Sequence, residues 1–260
     1  MRAKRSLGQN FLQDQNVIRR IVDSLRPSDN DTIVEIGPGP GAVTEKLVDT
    51  GARVIAIELD RELIPVLRSQ FHLQPNFRVI EADILKTSLS ELLAGAVPSH
   101  TKLVGNLPYY ISTAILQKLA DERGLFSKAV LMLQREVVTR IAAPPGNSER
   151  GFLTVITESA FAVRRLFDVG PMAFAPQPKV WSSVIELTPK PTSVGDSSEF
   201  RQLVSVSFAQ KRKTIMNNLK AAFADPGQML SAVGIDPRRR AETLTVDEWG
   251  ALAEFVKNGA

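Results

Sequence analysis

The sequence predicts an α/β protein, a mostly parallel sheet with helices on both faces, followed by a small all-α C-terminal domain. Three observations predict it. Five short runs rich in Val, Ile and Leu recur between residues 32 and 133, each separated by a stretch long enough for a helix, the order that produces a parallel sheet buried on both faces. A Gly/Pro turn, EIGPGPG (35–41), joins the first run to the stretch after it. Beyond a polar segment at 190–198 the apolar residues recur at helical spacing only.

Val17, Ile18, Ile21, Val22 and Leu25 recur every three or four residues after Asp14, which predicts an amphipathic helix over 14–25 with an Asp cap. The strands follow as TIVEI (32–36), RVIAIEL (53–59), FRVIEA (77–82), KLVG (102–105) and KAVLML (128–133), with helices near 42–50, 61–70, 88–94, 112–121 and 135–142. APPGNSERG (143–151) is a turn-rich loop, and 152–160 is a further helix. VRRLFDV (163–169) and VWSSVIELT (180–188) are two late strands; the prolines of GPMAFAPQPK between them prevent a regular element there. KPTSVGDSS (190–198) reads as a linker, so the expected domains are 1–189 and 199–260. Helices are expected at 199–208, 212–224, 227–233 and 246–257, the last opened by a Thr245-x-x-Glu248 capping box.

A chain of 260 residues with 43% hydrophobic content can fill a substantial core. It has no cysteine, which excludes disulfides and thiolate metal sites, and two histidines, His72 and His100, are too few for an ordinary zinc or iron centre, so no metal is expected. No run approaches the roughly 18–20 apolar residues that span a bilayer, so a soluble, cytoplasmic protein is expected. The net charge of +4 is unevenly spread. Residues 1–26 hold six Lys/Arg against Asp14 and Asp23, and residues 201–240 hold eight against Asp225 and Asp236, leaving the remainder acidic. Basic clusters beside an acidic body suit a polyanionic partner; solvated helix faces are the plainer alternative.

The Gly turn has the context of a nucleotide-binding turn, after a strand and before a helix. Gly37, Gly39 and Ala42 also fit G-x-G-x-x-A, so the motif alone does not separate a nicotinamide cofactor from another adenosine ligand. Glu58, at the end of the second strand, can accept both ribose hydroxyls, and Asp83, after the third, can accept from an adenine amine. Either could instead be a solvated charge. With Asn106, though, four successive strand ends would converge on one crevice at the carboxyl edge of the sheet.

Asn106-Leu107-Pro108-Tyr109 ends the fourth strand. The exocyclic amine of a purine is a poor nucleophile because its lone pair is delocalised into the ring. Asn106 offers a side-chain oxygen and Leu107 a carbonyl beside it, placed by Pro108, so two acceptors can take both protons of one amine. Tyr109 offers a ring face on which a flipped base can stack. A plain strand-to-helix turn, capped by Ser112 or Thr113, is the structural alternative.

At these residues the chain resembles the KsgA-type small-subunit ribosomal RNA adenine dimethyltransferases, class I (Rossmann-like) enzymes that use S-adenosylmethionine and release S-adenosylhomocysteine. Five segments in the family's order carry the likeness: GQNFL (8–12), EIGPGPG (35–41), NLPYYIST (106–113), FAPQPKV (174–180) and KRKTIMNNL (211–219). The resemblance implies that Gln9, Asn10, Leu12, Gly37, Gly39, Glu58, Leu59, Asp83, Ile84 and Asn106 bind the cofactor. It makes Asn106, Leu107, Pro108 and Tyr109 the catalytic loop, and Tyr109 with Phe174 the sandwich for the target base. Lys211, Arg212, Lys213, Arg238, Arg239 and Arg240 would contact RNA phosphates. The substrate it implies is a pair of adjacent adenosines in the 3′-terminal hairpin of 16S rRNA, within an immature 30S-type particle, and the enzyme would be a monomer. Trp181 departs from the family, where a small or acidic residue is expected. The rivals are a large-subunit rRNA adenine methyltransferase of the macrolide-resistance type, a DNA adenine methyltransferase, a nicotinamide-dependent oxidoreductase, and an assembly factor that binds RNA without catalysis.

Overall fold

A computed structural model describes residues 4, 7–191 and 193–259. The expected alternation is present. After β1 (Phe11–Leu12) and α1 (Gln15–Leu25) the chain runs β2 (Thr32–Ile36), α2 (Ala42–Val48), β3 (Arg53–Glu58), α3 (Leu63–Gln70), β4 (Phe77–Glu81), α4 (Leu89–Leu92), β5 (Thr101–Asn106), α5 (Ser112–Asp121) and β6 (Lys128–Gln134). Then come α6 (Arg135–Ile141), α7 (Phe152–Ala160), β7 (Phe161–Val169), β8 (Phe174–Ala175), β9 (Ser182–Pro189), α8 (Ser198–Ser207), α9 (Ile215–Leu219), α10 (Pro226–Ala232) and α11 (Val246–Gly259).

The seven-stranded sheet has the order β4-β3-β2-β5-β6-β9-β7. β4, β3, β2, β5 and β6 are parallel neighbours, whereas β9 pairs antiparallel with β6. The central strands are buried on both faces, Ile33, Val34, Leu103, Val104, Val130 and Leu131 among them, which is why they read as continuous apolar runs instead of alternating ones. Because the chain order reverses between β2 and β5, the carboxyl ends of β3, β2 and β5 open onto a switch point, the usual ligand crevice of such sheets. Gly105 is required there: a Cβ on it would lie 2.9 Å from the Ile36 carbonyl oxygen and 3.0 Å from the Leu107 side chain. The Asp14 side chain caps α1 by accepting from the amides of Asn16 and Val17.

The chain divides into two units, residues 1–138 with 163–189 and residues 139–162 with 190–260. By this division 139–162, placed by the sequence in the first domain, groups with the C-terminal helices and not with the rest of that domain. α7 is buried along Leu153, Val155, Ile156 and Ala160 and packs on α8 and α11. The Gly146 amide donates to the Glu242 carbonyl at 2.8 Å. Nor is 190–198 a free linker. The Lys190 amide donates to the Ala160 carbonyl at 2.9 Å and its Nζ to the Glu158 carbonyl at 2.7 Å, while Val194–Asp196 forms a 3₁₀ turn; Thr192 lies outside the described residues. In the helical unit Trp249 of α11 is fully buried, 6.1 Å from Phe208. The expected capping box forms, the Glu248 amide donating to Thr245 Oγ1 and the Thr245 amide to Glu248 Oε2. The helix expected over 212–224 is reduced to α9, which Thr214 caps from outside.

Candidate active site

The Gly turn, Glu58, Asp83 and Asn106 line one cavity at the switch point, with Gln9, Asn10, Leu59, Ile84, Leu107, Pro108, Tyr109 and Tyr110. Gly37 and Gly39 adopt φ values of +67° and +58°, which residues with a Cβ rarely take up. The Gly37 amide continues the β2–β3 ladder by donating to the Ile57 carbonyl at 2.9 Å. The Gly39 amide donates to Glu58 Oε2 at 3.1 Å, and the Asp60 amide to Glu58 Oε1 at 2.8 Å. Each Glu58 oxygen is thus oriented by one backbone N–H and keeps lone pairs for a ligand. Burial raises the Glu58 pKa, and the Asp60, Gly39 and Leu59 amides partly offset this.

The Asp83 side chain accepts from the Leu85 amide at 2.9 Å, which fixes it at the exit of β4. Leu59, 46% exposed, offers an apolar wall beside it. An N-terminal segment is strapped to Asp60: Lys4 Nζ donates to Asp60 Oδ1 at 2.7 Å, Gln9 Nε2 to Oδ2 at 2.8 Å, and the Lys4 amide to Gln9 Oε1 at 2.7 Å. Burial would raise the Asp60 pKa, but the bonds from Lys4 and Gln9 hold it below the usual carboxylate range.

Asn106 is oriented by the same segment, its Nδ2 donating to the Asn10 carbonyl at 3.0 Å. Because the amide is planar, Oδ1 then points away from Asn10 as a fixed acceptor. The Leu107 amide donates to the Met132 carbonyl at 3.1 Å, which holds the loop against β6. Tyr109 Oη and Ser182 Oγ lie 2.9 Å apart in a hydrogen bond. Burial raises the Tyr109 pKa, which the Ser182 bond only partly opposes, so the phenol is neutral at pH 7. Ser112, a cap candidate only under the plain-turn alternative, donates from Oγ to the Tyr109 carbonyl at 3.1 Å.

Two expected site residues stand outside this cavity. Leu12 and Phe174 are opposite each other in the antiparallel β1–β8 pair and are 5% and 3% exposed within the apolar core. Neither lines that cavity: Leu12 borders a second, smaller hollow together with Gly37, Gly39 and Asn106, and the Phe174 side chain is covered by its neighbours in this structure. Tyr110, which the sequence reading left without a role, is 59% exposed and does line it. The second tyrosine of NLPYY was the available signal. Asp60 and Ser182 were also missed, and their partners lie 51 and 73 residues away in sequence, beyond any local pattern.

The basic clusters divide too. Lys211, Arg212 and Lys213 are exposed in the turn before α9, and the Ile215 amide donates to the Arg239 carbonyl at 2.7 Å, which brings the second cluster beside them. Arg239 is committed to the fold: its guanidinium bonds Glu248 and the Thr243 carbonyl and hydroxyl. Arg238 pairs with Asp236 at 3.1 Å, and Arg240 lies 4.0 Å from Glu242. Of the three, Arg239 has the guanidinium most occupied by contacts within the protein. Arg2 and Arg5 lie outside the described residues.

Glu35, behind the Gly turn, is fully buried and accepts from Thr44 Oγ1 at 2.6 Å. Burial pushes its pKa up to about 7, Thr44 opposing and Glu58 adding to the effect. An acid whose folded pKa is raised contributes stability that is fully present below its ordinary value of 4.5 and is lost as pH rises through about 7. Such a shift corresponds to a stability change on the order of 3 kcal/mol. Thermal melts should therefore show the wild type falling between pH 4.5 and 7 relative to Glu35→Gln, which has no proton to lose in that window. Parallel profiles would show that Glu35 is not the titrating group.

A cavity at a Gly turn, a buried acid braced by that turn and an oriented NLPY loop characterise the site, and the chain as a whole is similar to known proteins. The chain matches the family described as "Ribosomal RNA adenine dimethylase" over residues 1–258. It is 45% identical to a "Ribosomal RNA small subunit methyltransferase A" of Geobacter metallireducens over 98% of this chain and 96% of that one. Against a protein of the same description from Hahella chejuensis it is 44% identical over 98% and 93%. A crystal structure of a dimethyladenosine transferase from Plasmodium falciparum superposes with a TM-score of 0.82 at 27% identity, covering 96% of this chain and 98% of that one. With a class I fold, a family model matched over nearly the whole chain and relatives at 44–45% identity along its length, the chain belongs to the ribosomal RNA adenine dimethylase family.

Proposed function

We propose that the protein dimethylates the exocyclic amines of two adjacent adenosines in the 3′-terminal hairpin of small-subunit (16S) rRNA, using S-adenosylmethionine and acting on an immature 30S-type particle. The observation that carries this reading is the orientation of Asn106, whose Nδ2 is taken by Asn10 while Oδ1 is left to accept from an amine. Relatives at 44–45% identity across the chain are described as small-subunit methyltransferases, which favours that substrate over large-subunit RNA.

The residues present fit the cofactor. Gly37 and Gly39 have no Cβ to obstruct a ligand along the turn, Glu58 would take the ribose hydroxyls, and Asp83 the adenine amine, with Leu59 and Ile84 against the ring. When bound, S-adenosylmethionine supplies an electrophilic methyl group whose leaving group already carries its charge, so the protein needs no metal and no strong base. Asn106 Oδ1 and the Leu107 carbonyl would accept the two protons of the target amine. Those bonds strengthen as the nitrogen becomes tetrahedral, which is differential stabilisation of the transition state. Placement of the reacting atoms supplies roughly 7–11 kcal/mol more. Tyr109, neutral and held by Ser182, would stack on one face of the base. The proton displaced leaves to water, and the second methylation needs room for the first methyl group where a hydrogen had been.

Incubation with labelled cofactor and immature small subunits, followed by mapping of modified nucleotides by mass spectrometry, tests the assignment. Label at two neighbouring adenosines of small-subunit RNA is expected. Label confined to protein-free large-subunit RNA or to DNA would sink it. Lys211, Arg212 and Lys213 predict steep salt dependence, with a log–log slope of about −0.7 per phosphate in single-stranded regions. Replacing all three by alanine should make the slope shallower by roughly 2, measured by filter binding across a salt series; an unchanged slope would mark these residues as a solvated face.

A further inference from the structure

Trp181 lies in the stretch between β8 and β9, and the structure gives it surroundings that call for an occupant. It is 47% exposed, although tryptophan is costly to leave in water. One edge rests on Gly170, where even a Cβ would be in contact at 3.5 Å, so the ring lies close against the backbone. The Arg135 amide donates to the Trp181 carbonyl at 2.9 Å, and the Arg135 guanidinium lies 5.6 Å from the ring centroid. That guanidinium is near enough to Asp168 to help lower its pKa, after Arg165 and Ser183, which bond the carboxylate directly. Val180 and Met172 beside this stretch are 43% and 86% exposed. The next residue is Ser182, whose hydroxyl meets Tyr109, so the backbone that carries the Trp181 ring also fixes the ring proposed to hold the target base.

We propose that Trp181 and Arg135 form a second nucleotide platform: the indole stacks on the base flanking the extruded adenosine, and the guanidinium meets that nucleotide's phosphate. The inference rests on the base-capture reading of Tyr109 and Asn106. Its physical basis is general. An extruded base leaves its neighbour unstacked, and an exposed aromatic ring beside a cation is the sequence-tolerant way to receive it. Phe174, buried opposite Leu12, is not available for that duty. Trp181 is a positioning residue on this account, since it touches the RNA but not the reacting atoms.

The test uses the full chain with unmethylated small subunits, comparing wild type, Trp181→Ala, Trp181→Phe and Arg135→Gln. Trp181→Ala should raise the KM for subunits by about 5- to 100-fold, the range expected for one lost stacking contact, with kcat at saturation and cofactor KM within about twofold. Trp181→Phe should recover most of the loss, and Arg135→Gln should weaken binding and make its salt slope shallower by roughly one phosphate. Chemical probing of the RNA separates the two readings. The target adenosine should change reactivity in both wild type and Trp181→Ala, while protection of its neighbour should be lost in Trp181→Ala and regained in Trp181→Phe. An unchanged KM with the neighbour still protected, or a loss that phenylalanine does not rescue, would overturn the platform. A target adenosine that never changes reactivity would instead overturn the base capture on which it rests.

Discussion

Asn106→Ala should lower the rate of methyl transfer at saturating substrates by about 10²- to 10³-fold, the cost of one preorganised acceptor at a developing charge. Cofactor affinity should fall only a few-fold. The reason for any fall lies in the other half of the amide: Nδ2 holds the Asn10 carbonyl at 3.0 Å, and alanine frees that segment as well as removing Oδ1. Asn106→Asp divides the two effects, because it keeps an oxygen acceptor and replaces the donor that Asn10 requires with a second oxygen. Single-turnover rates and calorimetric cofactor titrations on the two variants supply the comparison. Were the alanine variant to lose cofactor binding in the same proportion as turnover, Asn106 would be a wall of the cofactor site and no more.

Glu58→Ala should do the opposite and weaken the cofactor by roughly 100-fold or more while sparing turnover once the site is filled. Two ribose hydroxyls donating to one carboxylate each gain about 1.5–3 kcal/mol. The substitution also leaves the Gly39 and Asp60 amides without their acceptor, so the Gly turn loses its brace at the same time. Glu58→Gln keeps one acceptor oxygen and should fall between. Isothermal titration with S-adenosylmethionine gives the measurement, and equal affinity in the wild type and the alanine variant would remove Glu58 from the ribose site.

The parts legible in the sequence were those with a local signal. The strand ends carrying Gly37, Glu58, Asp83 and Asn106 were located because each follows a short apolar run, and the topology of a parallel sheet brings such ends together. Helix α5 begins and ends at the expected residues, Ser112 and Asp121. What escaped was long-range. Phe11–Leu12 and Phe174–Ala175 form a two-stranded sheet from segments more than 160 residues apart, and that pairing is what buries Leu12 and Phe174. α7 was found as a helix, but an apolar face does not say which neighbour will cover it, and here the neighbours are α8 and α11. Among three consecutive arginines only Arg239 is committed to the fold, chosen by Glu248 nine residues later.

The carboxylate at position 60 grips two residues of the amino-terminal stretch, and a carbonyl in that same stretch aims the amide at 106. Anything that steadies the stretch from the adenosine side therefore also readies the acceptor on the substrate side. Thermodynamic reciprocity then requires that an RNA preferring the readied arrangement tighten the small-molecule donor by an equal factor.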